Sequence, residues 1–362
     1  MSVVETVGAL TPEGWSGPVR VHFDDGVITA IEPIDRSSSS LRIVPGFVDL
    51  QVNGIDDIDV ASAAGDDWNR LDQLLLAQGV TTWCPTLVTM PLERYARPLD
   101  RIAAAMARPN AARPTIAGVH LEGPFLGRAP GAHPQDLIVP IDLAWLSQLP
   151  SHIAVVTLAA EQPLAVDATL HLTLRGCLVS IGHTQCSEDE FDRCVAAGAR
   201  LTTHLYNGMS GVHHRAPGVA VFAMTNRDVS ASLIADGVHV HPRALRLAAQ
   251  ALGHERMVLV TDSVAWRAGS VGSIGMELRD GAPRLPDGTL AGSAVTMIEA
   301  VAQCIRAGIW NEQVLRAAST NPARLLGLHD RGTIEVGKRA DLVALRGFDR
   351  IEQVWVAGEP TR

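Results

Sequence analysis

Cys177-Leu178-Val179-Ser180-Ile181-Gly182 is a short β-rich run, and His183 follows it directly. A helical stretch over Glu188–Ala197 comes next, then a second run, Arg200-Leu201-Thr202-Thr203-His204, which again ends on histidine. Strand, polar residue at the strand's C-terminal end, helix and further strand make one βαβ unit. The unit recurs on both sides. Gly46–Gln51, Val80–Pro85, Thr115–Leu121, Ile153–Ala159, Val229–Ile234 and Met257–Thr261 read as strands, with helices at Trp68–Gln78 and Pro242–Leu252. Eight strands alternating with helices over residues 45–331 predict an α/β fold, a (β/α)8 TIM-like barrel. An open doubly wound sheet is the rival topology.

The flanks have another character. Val19-Arg20-Val21-His22-Phe23 and Val27-Ile28-Thr29-Ala30-Ile31 form a strand pair around a turn at Asp25-Gly26, and Ala340–Leu345 and Gln353–Gly358 resume the pattern. Residues 1–44 and 332–362 are therefore expected to build one small β-sandwich domain around the barrel of residues 45–331.

Composition excludes several functions. The chain has 362 residues, 47% hydrophobic and 19% charged, which is a globular balance. A net charge of −9 without a basic cluster argues against nucleic acid and anionic membrane as partners. No apolar run approaches the roughly 18 residues of a membrane helix, and residues 1–5 do not open a secretory signal. Five cysteines without a CxxC pair read as reduced thiols, so a cytoplasmic setting is expected. Lys338 is the single lysine, against 29 arginines. It falls in the C-terminal β segment, which nearly excludes a Schiff base or a lysine-bridged metal pair.

Polar residues at strand ends carry the chemistry. Glu122, His183, His204 and Asp262 each close a strand, and His239 comes shortly after Ile234. This is the face on which barrel enzymes place their sites. Glu122, His183 and His204 are ligand types suited to a zinc-type ion that leaves a position open for water, and Asp262 is the carboxylate placed to take a proton. In the competing reading Asp262 caps the segment after strand eight. Cys186 and Cys194 read as packing residues. Gly269–Gly275 reads as a mobile loop. His213-His214-Arg215-Ala216-Pro217-Gly218 reads as an exposed loop, either a solvated turn or an anion contact.

Longer motifs run through almost the whole chain: Pro45-Gly46-Phe47-Val48-Asp49 with Gln51-Val52-Asn53-Gly54; His120-Leu121-Glu122-Gly123-Pro124; Gly131-Ala132-His133; Thr203-His204-Leu205-Tyr206-Asn207-Gly208-Met209; Ile234-Ala235-Asp236-Gly237-Val238-His239; and Gly332–Leu342. Together they resemble the N-acetylglucosamine-6-phosphate deacetylase family of the amidohydrolase superfamily. The resemblance implies a metal-bearing barrel that removes acetate from an amino-sugar phosphate, with Glu122, His183 and His204 as ligands of one divalent ion, zinc. It implies Asp262 as general base and acid, and His133 as the residue that holds or polarises the acetamido carbonyl. Asn207, Gly208 and His239 would contact the sugar and its phosphate, and Arg215 would reach the phosphate across a homodimer interface. Two departures stand out. Gln51 and Asn53 occupy the places where many amidohydrolases carry two histidines for a second metal, and Ala129-Pro130 stands where relatives often carry a basic residue. Deacetylation of an unphosphorylated or different N-acyl sugar is the first alternative, and a catalytically silent scaffold the second.

Overall fold

In the computed structural model, which describes residues 2–109 and 112–361, strand one (Phe47–Val52) and strand two (Val80–Val88) are buried along their whole length. Both faces are covered, as parallel strands with crossover helices require. Strand two is followed around the ring by strand three (Thr115–Ile116 and Val119–Glu122), strand four (Ile153–Leu158), strand five (Leu178–Ile181), strand six (Leu201–Thr202), strand seven (Ser230–Ile234) and strand eight (Met257–Val260). All pairings are parallel. The ring comes together just past strand eight. There the Asp262 amide donates to the Gln51 carbonyl at 3.0 Å, and the Asn53 amide to Ser263 at 2.8 Å. This is a (β/α)8 barrel, and the doubly wound alternative is set aside.

Alternation along the strands divides the apolar core into two layers. Val48, Leu50, Leu178, Leu201, Val258 and Val260 meet inside the barrel. Phe47, Trp83, Val179, Met257 and Leu259 face outward against the helices. The helix Glu188–Ala196 starts with a reciprocal cap between Ser187 and Glu190, and Met297–Arg306 with one between Thr296 and Glu299.

Three expectations are corrected in detail. The run Thr115–Leu121 is broken at Gly118, whose φ of +142° is a conformation for glycine. Strand six is only two residues long, because the chain leaves the sheet before His204. The segment Gly269–Gly275 is a hairpin, Ser270–Val271 against Ile274–Gly275, and not an irregular loop.

Both chain ends enter the same sheet. Its order is Glu359–Pro360, Arg350–Val356, Leu342–Arg346, Arg42–Pro45, Gly8–Thr11, Gly14–Trp15. A three-stranded sheet of Ser2–Thr6, Val19–Asp24 and Val27–Pro33 packs on it through Val19, Val21, Phe23, Ile28, Ile43, Leu342 and Ala344. Lys338 lies in this region, where its Nζ donates to the His329 carbonyl at 2.6 Å. Among the described residues no helix is long and apolar enough to cross a membrane.

Candidate active site

Strands three, five and six converge on one point at the C-terminal mouth of the barrel. Glu122 Oε1 lies 3.3 Å from His183 Nε2 and 3.0 Å from His204 Nε2, and the two imidazole nitrogens are 3.1 Å apart. All three side chains are buried. His183 and His204 sit immediately beyond the strands in left-handed backbone, with φ of +49° and +28°. That conformation costs a non-glycine residue about 1–3 kcal/mol and persists where the surroundings enforce it. Here it turns each ring back over the barrel mouth.

The outer ring nitrogens are already committed. His183 Nδ1 is 3.1 Å from the Ala129 carbonyl, and His204 Nδ1 is 3.2 Å from the Asn207 carbonyl. Since a carbonyl can only accept, each Nδ1 carries a hydrogen and each Nε2 can offer a lone pair. A carboxylate and two lone pairs at 3.0–3.3 Å form a cage that turns acceptors toward one another, and none of the three supplies a hydrogen to the others. Tetrahedral coordination with bonds of about 2.0–2.1 Å puts ligand atoms roughly 3.3 Å apart. The donor set therefore fits a zinc-type ion. A looser group of Glu122, His133 and His183 also gathers within 4.8 Å, but His133 Nε2 is 3.8 Å from Glu122. The tighter set is the better cage.

Asp262 adjoins this cage. Its Oδ1 accepts from Gln51 Nε2 at 3.0 Å and Asn53 Nδ2 at 2.7 Å, while Gln51 Nε2 also donates to Glu122 Oε1 at 2.9 Å. Thr203 donates to Gln51 Oε1 and so orients the amide. Neither Gln51 nor Asn53 aims at a second ion; both amides bind carboxylates. Among the described residues the Asp262 side chain accepts from these two amides and from no backbone N–H, so it caps no segment, which corrects the competing reading, and its Oδ2 has no hydrogen-bond donor among them. Burial, reinforced by the charge of Glu122, pushes its carboxyl up to about 8. A cation beside Glu122 would act in the opposite sense.

His133 lines the same pocket and is neutral, since burial and the neighbouring His183 lower it to about 3. Its Nδ1 meets the Thr89 hydroxyl at 2.8 Å. His239 lines the far side, its Nδ1 locked to buried Asp236 at 2.6 Å. Asn207 and Gly208 are also at the wall. A Cβ on Gly208 would come within 2.9 Å of His183 Nδ1, so this position needs glycine for space as well as for its φ of +57°. Val88, Val264, Val271, Ile274 and Leu290 supply the apolar side of a cavity of about 200 Å³. Among the described residues no arginine or lysine lines it.

One expectation from the sequence falls outside this pocket. Arg215 is exposed on its loop, its guanidinium 3.1 Å from His214 Nε2, and it does not reach the cavity of its own chain. Arg128 turns outward to the Gln185 carbonyl, while neighbouring Ala129 contributes its carbonyl to His183. His120, inside the His-Leu-Glu motif, is structural: its nitrogens meet Leu50 O at 2.9 Å and Thr157 Oγ1 at 2.8 Å. Reading strand ends for charge missed Thr89, Thr203 and Asp236. Only Asp236 carried a cue, lying three residues before His239.

A barrel with buried carboxylate and imidazole donors at its mouth, and a free carboxylate beside them, defines a metal-dependent hydrolase by fold and site. Comparison with known proteins agrees: the Amidohydrolase family model matches residues 42–361, and that of the N-terminal domain of formimidoylglutamate deiminase matches residues 1–38. Within the amidohydrolases the chain belongs to the N-acetylglucosamine-6-phosphate deacetylase family. It is 35% identical to an N-acetylgalactosamine-6-phosphate deacetylase of Escherichia coli O157:H7, over 97% of this chain and 96% of that relative. It is 33% identical to an N-acetylglucosamine-6-phosphate deacetylase of Vibrio furnissii, over 95% and 91%. The crystal structure of N-acetylglucosamine-6-phosphate deacetylase from Thermotoga maritima superposes with a TM-score of 0.92 at 31% identity, covering 99% of each chain.

Proposed function

We propose that this chain hydrolyses the N-acetyl amide of N-acetylglucosamine 6-phosphate, releasing acetate and glucosamine 6-phosphate, with one divalent ion per chain, zinc. The observation that carries the reading is the acceptor cage of Glu122, His183 and His204 with Asp262 beside it. The family relationship supplies the substrate class and disfavours the silent-scaffold alternative.

An ion held by Glu122, His183 and His204 would supply Lewis acidity, which makes water a competent nucleophile near neutral pH. Asp262 then moves the proton. Gln51 and Asn53 fix its Oδ1, so Oδ2 is the atom that takes a proton from the attacking water and returns it to the amide nitrogen as the C–N bond breaks. If the Thr89 hydroxyl donates to His133 Nδ1, the other nitrogen, Nε2, carries a hydrogen that can bind the acetamido oxygen. His239, oriented by Asp236, and the Asn207-Gly208 segment hold the sugar.

We also propose a small domain of residues 1–44 with 332–362 apart from the barrel of 45–331, a cytoplasmic setting consistent with five unpaired buried cysteines, and a homodimer. The dimer has a chemical motive: a pocket that no lysine or arginine lines among the described residues is completed for phosphate by Arg215 of the partner subunit. The same lack of a lining cation favours, as a second reading, an unphosphorylated N-acyl sugar. Acetate release from phosphorylated and free N-acetyl sugars separates the two.

The decisive variant is Asp262→Asn, which is nearly isosteric. It should keep one equivalent of zinc and its melting temperature while kcat falls by at least about 10²–10⁴-fold. Metal analysis, thermal unfolding and acetate release together check this. Near-normal kcat in the variant, or full activity in metal-free enzyme, overturns the assignment.

A further inference from the structure

Strand four lies between the strands that present Glu122 and His183, yet none of the residues lining the pocket comes from its end. The chain continues there as Ala159-Ala160-Glu161. The Glu161 side chain is only 9% exposed. Its Oε1 accepts from the backbone amides of Arg128 at 2.9 Å and Gln185 at 3.0 Å, and its Oε2 accepts from the Thr184 hydroxyl.

These donors belong to two different loops. Arg128 precedes Ala129, whose carbonyl receives the His183 Nδ1 hydrogen; Thr184 and Gln185 follow His183 directly. A direct bond from the Gly127 amide to the His183 carbonyl, 2.9 Å, runs alongside. The carboxylate comes so near that a Cβ on Gly127 would lie 2.0 Å from Oε1. One buried anion therefore stitches together the carbonyl that orients His183 and the backbone on which His183 stands. It touches neither the acceptor cage nor the pocket.

We infer that Glu161 is a positioning residue for the metal centre, holding the His183 imidazole in donor register with Glu122 and His204. The inference rests on the reading of that cage as a metal site. Without the stitch, the strained backbone at His183 can relax and the Ala129 carbonyl can drift from Nδ1. Groups that orient a metal-bound histidine typically contribute 10–100-fold to metal affinity.

The test titrates zinc-loaded full-length protein with a chelator and reads the concentration that removes half the zinc. It also records the melting temperature of each metal-free variant. Glu161→Ala should lose zinc at about 10–100-fold lower chelator. Glu161→Gln keeps a carbonyl for the two amides and an NH2 group that can meet the Thr184 hydroxyl, so it should recover most of that loss. A carboxylate that merely braces the fold would lower the metal-free melting temperature and leave zinc retention unchanged, and that result overturns the proposal. So does an alanine loss that glutamine does not restore. Should Glu161→Ala fail to fold, Thr184→Val carries the test: easier zinc loss supports the proposal and wild-type retention overturns it. A wild-type protein that holds no zinc at all overturns the metal reading and this inference with it. Unchanged retention in Glu161→Ala beside a zinc-holding wild type overturns this inference alone.

Discussion

Asp49 stands inside the barrel on strand one, fully buried, and touches no group that reacts. Its carboxylate accepts from the Thr261 hydroxyl at 2.6 Å and from the Gln51 amide at 3.2 Å. Burial nevertheless pushes it up to about 7 from an ordinary 3.8. The native chain thus binds a proton that the unfolded chain releases at lower pH. The associated stability is complete below about pH 4 and is lost as pH rises through 7, a change on the order of 4 kcal/mol. Asp49→Asn mimics the protonated form and lacks that pH dependence. It should match wild type near pH 4, and at pH 8 it should be more stable by at least about 1 kcal/mol. Urea midpoints at the two pH values check it. Such a role was illegible in the sequence, where Asp49 reads like any acid of a motif. Glu122, His183, His204 and Asp262 were legible because charge at the end of an apolar strand has few other uses. Glu161 was not, because two of its hydrogen bonds come from backbone amides, which every residue but proline has. The amides of Gln51 and Asn53 looked like lost ligands and proved to be hydrogen-bond donors.

At the scale of elements, strand and helix order followed from periodicity, and errors gathered at strand ends. Those ends are where the chain departs from regular geometry to aim a side chain, so propensity is a poor guide there. Strand six is the sharpest case: Arg200–His204 looks like five residues of strand, but only Leu201–Thr202 pair. Strand five makes its exit at Gly182. A Cβ there would lie 2.3 Å from Thr203 Cγ2 and 3.0 Å from Thr157 Cγ2, so the strand ends pack too closely for any side chain. Gly182→Ala should cost roughly 1–3 kcal/mol through overpacking and also weaken zinc binding, because Gly182 is joined to His183 and Thr203, which the new methyl would displace, is joined to His204. Denaturant midpoints and metal content measure the two effects. The hairpin at Ser270–Gly275 was misread for a related reason: glycines that signal looseness in a sequence also permit a tight turn, here at Gly272 with φ of +55°.

At the scale of the whole molecule, the pairing of both chain ends was visible as a change of pattern, whereas assembly between copies leaves no such trace. Arg215 is the residue on which this turns. If it completes a neighbour's pocket, Arg215→Ala should lower kcat/KM for the 6-phosphate sugar about ten- to a hundredfold and barely alter it for the free sugar. Kinetics of both enzymes on both sugars check this, and equal losses would remove Arg215 from phosphate recognition. The shared sheet also bears on how the chain is made. Arg42–Pro45 pairs with Leu342–Arg346, with Val44 opposite Val343. A ribosome adding about 5–20 residues per second needs roughly 15–60 s to pass from one strand to the other. For all that time Arg42–Pro45 offers an unpaired edge to any passing strand, and a chain without Leu342–Arg346 leaves that edge open for good. The strand Leu342–Arg346, remote from every reacting group, thus also serves to cover an edge that would otherwise invite aggregation.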